Sequence, residues 1–148
     1  MNKNLTLYNT VHATALIIKE SGILIRGKSG SGKSSLALNL INEAKNIGLF
    51  SRLVSDDRVR LFATHDALIA LPHPVIEGKI ELRGIGVMPI DYEKSCVLRV
   101  VIDIDDNPPR MPEFANETVE ISGIKLLWIK IKMNEISTSA VMHFLKKH

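Results

Sequence analysis

The chain has 148 residues, of which 45% are hydrophobic and 24% are charged, and its formal net charge is +3 at pH 7. This size and composition are typical of one globular domain with a substantial core, and they exclude a disordered chain. Only 5% of the residues are aromatic and like charges form no long block, so we expect no nucleic-acid partner; the basic balance suits an anionic ligand or an acidic protein partner.

The first 55 residues predict a strand, a turn and a second strand, followed by a helix and a further strand. β-branched and apolar runs favour strands, and apolar side chains spaced by three and four favour a helix. In chain order we predict a strand over 10–18, a turn at Ser21–Gly22, a strand over 23–26, a helix over 33–47 that ends at Gly48, and a strand over 52–55. The second strand leads directly into a glycine-rich segment.

The rest of the chain predicts more strands than helices. We predict a hairpin from 59–63 and 67–71, a loop-rich segment over 72–89, a strand over 97–104, a proline-rich surface loop over 105–117, a strand over 124–133 and a helix over 137–147. Strands and helices intermix without repeats, which is typical of an α/β fold with a mixed sheet. Cys96, the single cysteine, lies in an apolar run, so we expect a buried side chain and neither a disulfide nor a thiolate metal site.

Two absences in the sequence bear on location. No apolar run approaches the roughly 18 residues of a membrane span. The start of the chain also lacks the pattern of a signal peptide. We therefore expect a protein of the cytoplasm, with no membrane contact.

The glycine-rich segment matches the phosphate-binding pattern G-x-x-x-x-G-K-[ST]. Its glycines let successive backbone N–H groups turn towards phosphate oxygens, and the following helix adds the positive end of its dipole. Lys33 would reach the β- and γ-phosphates, and the Ser34 hydroxyl would be a Mg²⁺ ligand. The predicted triphosphate-binding residues are Gly27, Lys28, Ser29, Gly30, Ser31, Gly32, Lys33 and Ser34.

Two segments with carboxylates lie further along the chain. Asp56 and Asp57 follow a short apolar strand, and two adjacent carboxylates beside a metal site can divide metal contacts and general-base work; turn chemistry is the alternative. Glu81 and Arg83 are two residues apart, so in an extended segment both side chains point the same way. That arrangement suits Mg²⁺ and a transferred phosphate, and a surface ion pair is the alternative.

Four motifs in the same order resemble the catalytic domain of HPr kinase/phosphorylase, which acts on a serine of the phosphocarrier protein HPr. Residues 10–13, Thr-Val-His-Ala, are similar to T-V-H-G, and the phosphate loop is similar to G-D-S-G-x-G-K-S. Residues 53–57, Leu-Val-Ser-Asp-Asp, are close to L-V-A-D-D, and residues 80–86, Ile-Glu-Leu-Arg-Gly-Ile-Gly, to L-E-I-R-G-L-G. The resemblance implies an α/β P-loop kinase domain with a mixed β-sheet, of the HPr kinase and phosphoenolpyruvate carboxykinase-like fold.

The resemblance also implies roles for individual residues. Asp57 would be the general base that takes the serine proton, with Asp56 in support and His12 near the site, although a lone histidine on an apolar strand would otherwise be assigned to the core. Ser34 and Glu81 would hold Mg²⁺, with ATP as the phosphoryl donor. The further catalytic residues implied are Lys33, Arg83 and Arg110, the last by its position after the long apolar strand.

The chain departs from the family pattern at its beginning, in the turn after the phosphate-loop helix, which is six residues longer, and near its end. It begins where the family's catalytic domain begins, so we expect a single kinase domain over residues 1–148, of the short type known from alphaproteobacteria, without the family's N-terminal domain. Residues 132–136 read Lys-Met-Asn-Glu-Ile where the family has a P-G-R-N-like loop tied to phosphorolysis. The resemblance therefore implies phosphorylation of HPr rather than its reversal, and a homo-oligomer is compatible with it because the family forms hexamers.

Two other functions remain open beside the leading hypothesis of an ATP- and Mg²⁺-dependent protein-serine kinase acting on HPr. A small-molecule P-loop kinase usually carries an arginine-rich lid, and after Asp57 only Arg58 and Arg60 come close together. A non-catalytic ATP-binding regulator is the third function, because the altered loop over 132–136 and a C-terminal helix that ends earlier than in the family, at His148, could leave ATP binding to gate a partner contact.

Overall fold

The computed structural model describes residues 8–108, 117–134 and 137–148. Within these ranges the chain forms ten β-strands and two α-helices. In chain order they are β1 (Asn9–Ile18), β2 (Ser21–Arg26), α1 (Lys33–Asn46), β3 (Ser51–Ser55), β4 (Arg58–Ala63), β5 (Leu68–Pro72), β6 (Lys79–Leu82), β7 (Gly86–Pro89), β8 (Cys96–Ile104), β9 (Thr118–Ile121), β10 (Ile124–Ile131) and α2 (Ser137–Lys147). Neither of the described helices is long and apolar enough to cross a membrane.

A mixed sheet runs through the centre of the fold in the order β3-β1-β2-β8-β10-β9. Strand β8 pairs in parallel with both β2 and β10, whereas β1 is antiparallel to β2 and to β3. The first half of β1 pairs instead with β4, and β4 leads through β5 to the beginning of β8. Strands β1, β2, β8, β5 and β4 therefore close a ring.

Two apolar cores are built on this sheet. The first packs the sheet against both helices, and α1 contributes apolar side chains at a spacing of three and four, which places them on one face. Its fully buried members include Leu16, Ile25, Leu36, Leu40 and Ile102. The second core is formed by the strands of the ring and uses several small side chains, among them Ala13, Ala15, Val59, Ala70 and Cys96.

Most predicted elements are confirmed, with ends that shift by at most two residues, and the fold is a mixed α/β fold as expected. The turn predicted at Ser21–Gly22 is wrong, because the chain turns at Lys19 and Glu20 and both predicted turn residues lie in β2. A Cβ added at Gly22 would lie 2.5 Å from the carbonyl oxygen of Val97. This glycine therefore allows β8 to approach closely and does not make the turn.

The segment over 72–89, for which the sequence predicts a loop, contains the antiparallel β6–β7 hairpin. Ile80 at its centre is 2% exposed and packs in the first core, which holds the hairpin in place despite its charged neighbours. The prediction also missed β9, which pairs with β10. Most of the surface loop predicted over 105–117, including Arg110, lies outside the described residues.

Candidate active site

The phosphate loop joins β2 to α1, as the sequence predicts. Gly30 and Gly32 have φ values of +80° and +104°, in the left-handed region that glycine adopts without strain. At Gly27 the reason for glycine is contact, since an added Cβ would lie 2.6 Å from the Ser31 hydroxyl oxygen. The loop therefore needs its three glycines to curl tightly in front of the helix.

The N-terminus of α1 is open towards this loop. Gly32 is the N-cap residue, no side chain caps the helix, and its first turn carries no acidic residue. The N–H of Leu36 donates to the Gly32 carbonyl at 2.9 Å, so the three N–H groups before it have no partner within the helix. Such an end carries partial positive charge and is a ready site for phosphate.

Lys33 is buried within the loop, with 5% of the residue exposed. Its ammonium donates to the carbonyl oxygens of Gly27 at 2.9 Å and Lys28 at 3.1 Å, which leaves its third donor for a ligand. Nearby, the buried Ser31 hydroxyl has no hydrogen-bond partner among the described residues. Because buried polar groups are nearly always satisfied, these groups fit the triphosphate that the sequence predicts.

Asp56 lies at the end of β3 and connects three parts of the site. It is 1% exposed, and its carboxylate accepts hydrogen bonds from the hydroxyls of Ser34 at 2.5 Å and Thr14 at 3.1 Å and from the backbone N–H of Glu81 at 2.9 Å. These donors come from α1, β1 and β6. A buried carboxylate held by three donors has a fixed position, so Asp56 ties the phosphate loop to the neighbouring strands.

The backbone of Asp57 is held in an unusual conformation. Its φ is +65°, and the turn around it is closed by the Arg58 N–H, which donates to the Asp56 carbonyl at 2.7 Å. The Asp57 N–H donates to the Thr14 hydroxyl oxygen at 3.1 Å, and its carbonyl accepts from the Ala13 N–H at 3.2 Å. A left-handed residue that its surroundings hold in place is a recurring feature of functional sites.

The side chain of Asp57 is open to solvent beside His12. The two side chains are 48% and 71% exposed, and His12 Nδ1 lies 3.7 Å from Asp57 Oδ1. His12 is therefore not in the core, contrary to the assignment that its apolar strand alone would give. An accessible carboxylate on a fixed backbone next to a phosphate-binding loop can accept a proton from an incoming hydroxyl.

Glu81 and Arg83 approach the loop from the β6–β7 hairpin. Strand β6 ends at Leu82, so Arg83 belongs to the turn and does not form an extended pair with Glu81. The Arg83 guanidinium nevertheless lies against the loop, because a Cβ added at Gly30 would be 3.0 Å from its Nη2. The structure thus places a positive charge at the face of the phosphate loop, while the exposed Glu81 is joined to Asp56 through its backbone N–H.

No cluster of three or more His, Cys, Asp or Glu side chains that could hold a metal ion occurs in the described part of the chain. The predicted ligands Ser34 and Glu81 both contact Asp56. Magnesium in nucleotide sites is usually bound by one or two protein ligands together with phosphate oxygens and water. This sparse set of donors therefore fits Mg²⁺ held jointly with a triphosphate.

The sequence did not reveal two groups of residues that support the site. Thr14 bridges Asp56 and Asp57, and the available signal was a hydroxyl two residues after His12 on an otherwise apolar strand.

The second group fixes the start of the loop: Arg26 donates to both carboxylate oxygens of Asp103, at 2.7 Å and 2.8 Å, and the indole N–H of Trp128 donates to the same carboxylate at 2.7 Å. Its residues are 25 and 77 positions apart in the chain, so no local pattern points to it.

Curated proteins that are similar to this chain in sequence carry the name HPr kinase/phosphorylase. The HPr kinase/phosphorylase of Mycoplasma mycoides subsp. mycoides SC is 43% identical over 141 residues, which cover 87% of this chain and 42% of that protein. The HPr kinase/phosphorylase of Streptococcus thermophilus is 28% identical over 144 residues, covering 88% of this chain and 44% of that protein. This chain thus spans less than half the length of these curated relatives.

The fold and the family follow from two further comparisons. The structure of the Hpr(Ser) kinase/phosphatase from Coxiella burnetii matches 95% of this chain and 90% of its own with a TM-score of 0.78, at 24% sequence identity. This likeness confirms the predicted fold, an α/β P-loop kinase-type domain with a mixed sheet. The family model described as the HPr serine kinase C-terminal domain matches residues 3–142. The chain therefore belongs to the family of HPr serine kinase C-terminal domains.

Proposed function

We propose that the chain is an ATP- and Mg²⁺-dependent protein-serine kinase that phosphorylates HPr. The observation that carries the proposal is the half-exposed Asp57 carboxylate, fixed by a left-handed turn directly after Asp56, which is bonded to Ser34 of the open phosphate loop. The names of the relatives, HPr kinase/phosphorylase, support HPr as the acceptor. A cytoplasmic location follows from the two substrates.

The residues of the loop would bind the phosphoryl donor. The free N–H groups at the start of α1 face the phosphates, and Lys33 exchanges its carbonyl partners for phosphate oxygens. Arg83, already against Gly30, stabilises the charge that develops on the transferred group. Ser34 and Glu81 would hold Mg²⁺, which would supply further neutralisation of the phosphate charge.

Asp57 would act on the acceptor. As the serine oxygen attacks the γ-phosphorus, the Asp57 carboxylate takes the hydroxyl proton, the bond to the β-phosphate oxygen breaks, and ADP leaves with the electron pair. His12, 3.7 Å away, restricts the orientation of the carboxylate. Asp56 fixes the hydroxyl of Ser34, a proposed Mg²⁺ ligand, so the two adjacent carboxylates would have different tasks.

The segment after β10 supports transfer to HPr and not its reversal. Its sequence over 132–136 contains no arginine, and Met133 lies over the phosphate loop, since a Cβ added at Gly32 would be 3.4 Å from its Cε. A thioether offers no charge for a free phosphate that would have to attack phosphoserine. We therefore propose that phosphorolysis is weak or absent.

One assay separates this function from the two alternatives. Radiolabelled ATP and Mg²⁺ are incubated with the chain and purified HPr, with a panel of metabolites, or with no acceptor, and products are resolved by gel and by chromatography. The proposed function predicts label on a serine of HPr. Label on a metabolite would support a small-molecule kinase, and tight nucleotide binding without any transfer would support a regulator.

A further inference from the structure

The β6–β7 hairpin presents an apolar surface to solvent. Ile85, in the turn, is 72% exposed, and Val87, in β7, is 56% exposed. All four residues of β7 are exposed. These two side chains, named the hairpin patch below, contribute little to the core, and contiguous exposed apolar residues often mark an interaction site.

The hairpin patch lies beside the mouth of the phosphate loop. Val87 is paired directly with Glu81 across the hairpin, and directly opposed residues have Cβ atoms about 5 Å apart on the same face. Glu81 is a proposed metal ligand. Ile85 is two residues from Arg83, whose guanidinium lies against Gly30. The hairpin patch therefore borders the site on the side of Glu81 and Arg83.

The hairpin is held firmly enough to offer a preformed surface. Ile80 anchors it in the first core, and the Ile90 N–H donates to the Gly78 carbonyl at 3.0 Å. The Tyr92 hydroxyl donates to Glu77 at 2.8 Å, and its ring packs so closely that a Cβ added at Gly78 would lie 2.9 Å from it. A surface that is already ordered loses little entropy when a partner binds.

The chemistry of the patch favours a protein as the occupant. A small polar acceptor is oriented by hydrogen bonds, and two aliphatic side chains at the mouth of the site provide none. A protein acceptor, unlike a small polar one, can bring apolar side chains to both sides of its serine and bury them against Ile85 and Val87. We propose that the hairpin patch docks the protein acceptor through apolar side chains that flank the phosphorylated serine; this inference rests on the proposed kinase function.

The test compares Ile85→Ser, Val87→Ser and the double variant with wild type. The matched control is Val97→Ser, because Val97 is also exposed, at 41%, but lies at the beginning of β8, the end away from the phosphate loop. Steady-state kinetics with purified HPr give kcat and KM, binding of a non-hydrolysable ATP analogue gives Kd, and gel filtration gives the oligomeric state.

Each substitution in the patch is expected to raise the KM for HPr about tenfold, since burying a valine or isoleucine contributes at least that much. The kcat at saturating HPr, the Kd of the analogue and the elution volume stay at wild-type values, and Val97→Ser changes none of the four. Conservative Val87→Ile should retain the wild-type KM.

Two results would overturn the inference. An unchanged KM in the double variant would show that HPr does not use the patch. A changed elution volume would show that a second copy of the chain occupies it. Failure of the kinase proposal is recognised separately, because wild type would then transfer no phosphate to HPr, and the docking role would fall with it.

Discussion

Asp57 combines a φ of +65° with a half-exposed carboxylate. Among residues with side chains, Asp and Asn tolerate the left-handed region best. The turn is held by backbone bonds and by the Thr14 hydroxyl, and the carboxylate takes no part in those bonds. An asparagine can therefore take the same backbone conformation, whereas an alanine adds strain. This makes the amide the informative substitution at position 57.

Asp57→Asn should remove phosphoryl transfer and leave nucleotide binding intact. The amide cannot accept the serine proton, and loss of a general base lowers the rate by about 10²- to 10⁴-fold. The measurement is kcat for HPr phosphorylation, together with the Kd of a non-hydrolysable ATP analogue. A variant that transfers phosphate at the wild-type rate would show that Asp57 has another role.

Thr14 should matter for both stability and rate because its hydroxyl serves two aspartates. In Thr14→Val the Asp57 N–H loses its acceptor and Asp56 loses a donor inside a fully buried site. We expect the free energy of unfolding to fall by about 1–3 kcal/mol, the usual effect of a buried unsatisfied group, and kcat to fall with it. Urea denaturation and the HPr assay measure the two quantities.

Thr14→Ser is the control, because it keeps the hydroxyl and loses only a methyl group. Its kcat should remain near the wild-type value. Equal losses in the valine and serine variants would mean that packing, and not the hydroxyl, accounts for the effect.

The sequence identified the residues of the candidate site better than the residues that hold them in place. The phosphate loop, Asp57 and Arg83 all lie at one place, and their residue types are dictated by chemistry that recurs in known motifs. Thr14 was missed because its hydroxyl becomes important only when the turn at Asp56 and Asp57 lies beside β1. Such long-range pairing leaves no mark on the local pattern of a single apolar strand.

At the scale of elements, the parallel strands β2, β8 and β10 are joined where the phosphate loop begins. Asp103 on β8 receives two hydrogen bonds from Arg26 on β2 and one from Trp128 on β10. Arg26 directly precedes Gly27, so this paired guanidinium sets the direction in which β2 enters the loop. Bidentate charge-assisted pairs are both strong and geometrically specific, which suits such a positioning task.

Asp103→Asn should weaken nucleotide binding although the residue lies outside the loop. The amide can accept from Arg26 with one oxygen only, so the guanidinium loses its second bond and its counter-charge. We expect a loss of stability of about 1.5–3 kcal/mol, the usual contribution of a hydrogen bond to a charged group. The Kd for the ATP analogue should rise about fivefold, and isothermal titration and urea denaturation measure the two effects.

Trp128→Phe provides the comparison for this prediction. It removes the indole donor and keeps the Arg26–Asp103 pair, so the Kd for the analogue should stay close to the wild-type value, because the guanidinium next to Gly27 keeps both of its bonds. A phenylalanine variant that binds nucleotide as poorly as Asp103→Asn would show that the loop depends on β10 and not on the ion pair.

Element prediction succeeded where one face of a segment is apolar and failed where tertiary contacts decide. Strand β8 and helix α1 have strong patterns and were predicted to within one residue. The β6–β7 hairpin carries charges in β6 and glycines at its turn, so its pattern does not predict strands, whereas Ile80 and Leu82 pack it against the first core. Gly22 was assigned to a turn because its contact with β8 involves a residue 75 positions later.

At the scale of the whole molecule, the site and the single cysteine lie at opposite ends of the ring of strands. The phosphate loop follows the end of β2, whereas Cys96 begins β8 and packs in the second core at 6% exposure. Burial raises the pKa of its thiol to about 12. Since the thiolate is the reactive form, Cys96 in the folded protein should resist alkylation near pH 8 and react once the chain unfolds.

The rate at which Cys96 is alkylated therefore reports how often the ring of strands opens. Nucleotide bound at the phosphate loop, at the opposite end of the ring, should lower this rate. A ligand that binds only the folded state stabilises it by RT ln(1 + [L]/Kd), about 2.7 kcal/mol at one hundred times Kd. If exposure of the thiol requires global unfolding, labelling by N-ethylmaleimide should slow about 100-fold when the ATP analogue is added at that concentration. Mass spectrometry of the labelled fraction over time gives the rate, and the analogue's effect on the unfolding midpoint is measured in parallel. A midpoint that rises while the labelling rate stays the same would show that the β5–β8 edge opens locally, independently of the phosphate loop.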